Sequence, residues 1–119
     1  MTTEKIIRRY FDAIHGGGWE SYIGDEFDFV NGNLDRAAHG KRAYLEGAGR
    51  FFDTTKKVEI RQLLIEKERV AVLARYQVRS PGGEDGVCDV AEFLTVRDGK
   101  IVSSAIFFDT GALAALMSR

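Results

Sequence analysis

One cysteine, one proline, one tryptophan and two histidines are spread over 119 residues. A lone Cys88 cannot close an intrachain disulfide. It reads as a small buried hydrophobe and fits a cytoplasmic protein. His15 and His39 stand far apart with no carboxylates at ligand spacing, so no metal site is expected. The glycines at 16 to 18 follow no strand and precede no GK[ST], so they are not a phosphate loop. The reading is therefore of a protein without metal or organic cofactor. Charge of a single sign is missing too: 17 Lys and Arg balance 18 Asp and Glu, for a net charge of -1. Without a basic stripe, nucleic acid is not an expected partner. No run approaches the roughly 20 apolar residues needed to cross a bilayer, and the N-terminus MTTEKIIRRYF has no long apolar core of a signal peptide, so no membrane association is expected.

What is present is the material of one globular domain, 45% hydrophobic and 29% charged. Residues 3 to 15 carry Ile6, Ile7, Tyr10, Phe11 and Ile14 at helical spacing. A threonine can cap the start, and the triple glycine ends the helix. WESYI reads as a short second helix closed by Gly24, with Trp19 and Tyr22 packed over the open end of the fold. DEFDFVNGN reads as a strand breaking at an Asn31-Gly32-Asn33 turn, with Phe27, Phe29 and Asn31 on one face. KRAYLEGAGRFFD reads as a helix presenting Tyr44 or Leu45, Ala48, Phe51 and Phe52, weakened by Gly47 and Gly49.

From Val58 the apolar period becomes two. VEIRQLLIE and VAVLARYQVR join through Lys67-Glu68-Arg69. SPGGEDG, with the only proline, is a loop. VCDVAEFLTV and IVSSAIFFD join through Arg97-Asp98-Gly99-Lys100, and Asp-Gly is a strong hairpin signal. The last ten residues read as a short helix or a tail. Helices first and strands last predict an α+β domain over residues 1–119: a cone-shaped, curved antiparallel sheet wrapped around N-terminal helices. Such a cone encloses a pocket suited to a small molecule.

One residue breaks the pattern. In CDVAEFLTV, residues 88 to 96, one strand face carries Cys88, Val90, Leu94, Val96 and Glu92. A buried carboxylate must be protonated, paired or near water. Arg75 is the cation expected on the same face, beside Gln77, in a polar patch on one side of an apolar strand. A structural Arg75–Glu92 pair is the alternative to a pocket acid.

The opening IIRRYFDAIHGGGWESY, the strand DEFDFVNGN and the closing VAEFLTVRDGKIVSSAIFFD resemble the nuclear transport factor 2-like superfamily. Within it the sequence is similar to the SnoaL-like group, with its polyketide cyclases, ketosteroid isomerases and limonene epoxide hydrolases. The resemblance to ketosteroid isomerases implies Tyr10 and a protonated Glu92 as oxyanion-hole donors, a site type that is itself a standard case of a neutral carboxylic acid. Asn31 falls where those isomerases carry their aspartate base, and an amide cannot take up a proton. Compared with the epoxide hydrolases, Phe29 and Asn31 match residues that hold the attacking water and Arg75 matches an arginine. Gln77 and Ile106 replace both catalytic aspartates.

The sequence thus predicts a pocket with Tyr10, Asn31 and Glu92 as catalytic groups. Phe27, Phe29, Phe52, Arg75, Gln77, Leu94, Ser104, Ile106 and Phe108 would contact the ligand. The function expected is binding of a small apolar compound, with cofactor-free isomerase, cyclase or dehydratase chemistry on a carbonyl. The alternatives are a ligand-binding or sensory domain without chemistry and a protein-interaction module. His39, before a helix start, is a weaker choice as base at the pocket mouth. Tyr76, Val78, Phe93 and Phe107 are expected on the opposite sheet face, as the interface of a homodimer.

Overall fold

A computed structural model of the chain describes residues 1–32 and 36–119. Asn33 of the expected turn lies outside them. Helix α1 spans Thr3–Gly16, with the Thr2 side chain accepting from the Lys5 N–H and burying Ile6, Ile7, Tyr10, Phe11 and Ile14. A 3-10 turn over Trp19–Tyr22 leads into β1 (Ile23–Asn31). A short strand β2 (Arg36–His39), which no sequence pattern announced, precedes α2 (Lys41–Asp53). Then come β3 (Thr55–Glu66), β4 (Arg69–Arg79), β5 (Asp85–Arg97) and β6 (Lys100–Phe108), and a closing helix α3 (Thr110–Met117).

The six strands form one sheet in the order β2-β1-β6-β5-β4-β3. The meander β3 to β6 is antiparallel, as expected, while β1 pairs with β6 in parallel, so the sheet is mixed. The α+β architecture is the one read from the sequence. The β5–β6 hairpin turns at Asp98 and Gly99, with φ of 51° and 78°, where glycine carries little steric cost. Register shifts along β3 and between β5 and β6 mark where the sheet bends.

On β4 the buried stripe is Val70, Val72, Ala74, Tyr76 and Val78, continued on β5 by Cys88, Val90, Glu92, Leu94 and Val96. These residues share the inner face because Val72 pairs with Glu92 and Tyr76 with Cys88. The placement of Tyr76 and Val78 on the outer face is therefore corrected: both point inward. Phe93 and Phe107 do lie outside, 54% and 43% exposed. The tail is helical. α3 rests on β5 with Leu116 over Gly86, where a β-carbon would come within 2.4 Å of the leucine side chain. No helix among the described residues is long and apolar enough to cross a membrane.

Candidate functional site

Between the inner face of the sheet and α2 lies a cavity of about 440 Å³, reached also by Leu113 of α3. Its walls are mostly apolar. Phe29 comes from β1, Phe51 and Phe52 from α2, Val90 from β5, and Ile106 and Phe108 from β6. Polar groups enter at few points: Asn31, Tyr44, Arg50, Tyr76, Cys88 and Glu92.

Glu92 is only 4% exposed. The Ser104 hydroxyl donates to its Oε2 at 2.5 Å, and no cation among the described residues pairs with it. Burial disfavours the anion and outweighs the serine's opposing hydrogen bond, raising the pKa to about 7. Near neutrality this carboxyl can hold or release a proton.

Three tyrosines share its field. The Tyr10 and Tyr44 hydroxyls are 3.0 Å apart in the interior. Burial, and the nearby Glu92, push Tyr10, Tyr44 and Tyr76 all well above the ordinary tyrosine value. They are protonated donors at neutral pH. Tyr44 lines the cavity and Tyr10 stands behind it. The cavity tyrosine is therefore not the one the family resemblance pointed to. Tyr44 was visible only as one member of the α2 apolar stripe, and a stripe does not say which hydroxyl meets a cavity.

Asn31, at the end of β1, lines the cavity too. Its Oδ1 is shielded from solvent and has no hydrogen-bond partner among the described residues. An unsatisfied buried acceptor costs about 1–3 kcal/mol, and a ligand donor would recover part of that. The Cys88 thiol, pushed up to about 11 chiefly by burial, stays protonated at neutral pH.

The other expected contacts divide. Phe29, Phe52, Ile106 and Phe108 line the cavity. Phe27 and Leu94 are packed into the core, and Ser104 acts on Glu92 from behind. Arg75 and Gln77 are corrections. Arg75 pairs with Asp89, the residue opposite it on β5, through contacts of 2.8 and 3.0 Å on the outer face. Gln77 is exposed on that same face. The reason is parity: five apolar residues at alternate positions outweigh a stripe containing Arg75 and Gln77, so β4 turns its polar side to water. His39 is exposed between Asp28, at 2.6 Å, and Glu26, at 3.1 Å; these hydrogen bonds favour its protonated form. It is absent from the cavity wall. No group of three His, Cys, Asp or Glu side chains suited to a metal occurs among the described residues.

The sequence matches the SnoaL-like domain family over residues 7–104. The chain belongs to that family. No curated protein matches the sequence. Among solved structures, this SnoaL-like chain is similar to a proposed SnoaL-like polyketide cyclase from Jannaschia sp. CCS1, at 20% identity, a TM-score of 0.81 and coverage of 98% and 91% of the two chains. It is also similar to TerC, co-crystallised with polyporic acid, at 20% identity, a TM-score of 0.82 and coverage of 98% of each. A protein with a ketosteroid isomerase-like fold from Catenulispora acidiphila DSM 44928, in complex with trimethylamine, gives 16% identity, a TM-score of 0.78 and coverage of 98% and 95%. At these identities the likeness concerns the fold.

Proposed function

We propose that this SnoaL-like protein binds a small, largely apolar carbonyl compound in the cavity and acts on it as a cofactor-free isomerase, cyclase or dehydratase. The observation that carries this reading is Glu92: a carboxyl inside an apolar chamber, held by a serine and paired with no cation among the described residues. Below its pKa of about 7 it is a hydrogen-bond donor. Above it, the Glu92 carboxylate would take the α-proton of the carbonyl compound and return it, while the Tyr44 hydroxyl stabilises the oxygen of the enolate, because a fixed donor in a dry site favours charge that develops there. Tyr10, hydrogen-bonded behind Tyr44, would orient that hydroxyl. Asn31 would accept a hydrogen bond from the ligand in place of removing a proton.

Deuterium uptake at the α-carbon of a bound ketone, followed by NMR in D2O, tests the chemistry. Exchange faster than in buffer, lost in Glu92→Gln and Tyr44→Phe, is expected. Ketone binding without exchange would instead support a second reading, a binding domain without turnover. That reading is favoured by the amide at Asn31 and by a cavity wall in which, among the described residues, Glu92 is the one carboxylate.

We also propose a homodimer through the outer sheet face. Val30, Leu64, Leu73, Phe93 and Phe107 are exposed there, and the last two make an edge contact with ring centroids 6.3 Å apart. Cytoplasmic residence is retained on the buried, unpaired thiol of Cys88.

A further inference from the structure

The cavity wall holds two ionisable side chains of strong character, Glu92 and Arg50. Glu92 lies inside, beneath Ile106 and Val90. Arg50 stands in the last turn of α2 and is exposed, which places it at the mouth. Glu46 and Asp53 lie one turn away on the same helix, yet neither forms an ion pair with it, and no other carboxylate among the described residues does so. Arg9, Arg42 and Arg69 likewise make no ion pair among the described residues, but none of them lines the cavity. Arg8, Arg61, Arg75, Arg79, Arg97 and Arg119 each pair with an acidic side chain. An unpaired guanidinium at the rim of an apolar chamber is a fixed positive charge with a fork of donors, suited to a carboxylate. The walls behind it would strip water from a buried anion without replacing it, so a ligand's charge must stay at the rim.

We propose that the ligand is a carbonyl compound bearing a carboxylate, its apolar body in the cavity, its carbonyl towards Glu92 and its acid group on Arg50. This deepens the reading given above and rests on it. Arg50 is then a specificity-determining residue: it selects acids over neutral compounds of the same shape and takes no part in proton transfer.

A matched pair of fluorescent probes tests the assignment at pH 6. The first is 6-acetyl-2-naphthoate, a ketone with a carboxylate at its far end, and the second is the corresponding primary amide. The wild-type protein should bind the carboxylate about tenfold tighter than the amide, the scale of one charge-assisted hydrogen bond. The preference should shrink at 0.5 M salt and vanish in Arg50→Gln, which should leave amide binding within about twofold. Glu92→Ala should weaken both probes together. Equal affinity for the two probes, or a preference that survives in Arg50→Gln, would overturn the role of Arg50 while leaving the carbonyl site standing. Failure of both probes to bind the folded protein would overturn the cavity reading and this inference with it.

Discussion

Ser104 on β6 donates its hydroxyl to Oε2 of Glu92 on β5, and both side chains are almost completely buried. The hydrogen bond favours the carboxylate and burial favours the acid; burial prevails, setting the pKa at about 7 against an ordinary 4.5. The folded state thus keeps a proton that the unfolded chain has already lost over this interval. Stability from this group is complete below about pH 4.5 and is lost as pH rises through about 7, a change on the order of 3 kcal/mol. Glu92→Gln should keep the fold and abolish that slope. Urea unfolding midpoints measured from pH 4 to 8 check this, and a wild-type curve equal to the variant's would show that the carboxyl is not desolvated.

Tyr10 and Tyr44 should separate by assay. Tyr44→Phe leaves the Tyr10 hydroxyl buried without its partner and should cost about 1–3 kcal/mol of stability. It should also weaken ketone binding about tenfold. Tyr10→Phe leaves Tyr44 facing the cavity and should change binding less than threefold. Thermal melts and ligand titrations of both variants, with the double variant to give their coupling, provide the measurement.

The Arg75–Asp89 pair lies on the outer face with its side chains 37% and 48% exposed. Arg75→Ala should therefore change stability little and leave ligand affinity unchanged. A large loss of affinity in that variant would return Arg75 to the site.

The two sheet faces predict opposite outcomes for the same kind of substitution. Phe93→Asp should stay folded and sediment as a monomer, whereas the native chain should sediment as a dimer at micromolar concentration. Tyr76→Asp, at a position 3% exposed on the inner face, should not fold, because an unpaired charge there costs several kcal/mol. A native protein that sediments as a monomer would remove the proposed interface.

Local chemistry was sufficient for much of this protein. The stripe of Ile6, Ile7, Tyr10, Phe11 and Ile14 made α1 legible, the alternation after Val58 made the meander legible, and Asp98-Gly99 fixed its last hairpin. The same alternation exposed Glu92 as the residue out of place, because one carboxyl in a stripe of four apolar residues needs a special environment. Strand pairing decided the rest. The five-residue apolar stripe of β4 turns Tyr76 inward and Arg75 to water; the Val72–Glu92 register then decides that the carboxyl stands on that inner stripe, away from the Arg75 cation. The parallel pairing of β1 with β6 brings Asn31 opposite Ile106, and α2 crosses the sheet with Tyr44 in front of Tyr10. These contacts join residues dozens of positions apart, and their energies depend on burial and partner geometry. No short stretch of sequence carries that information.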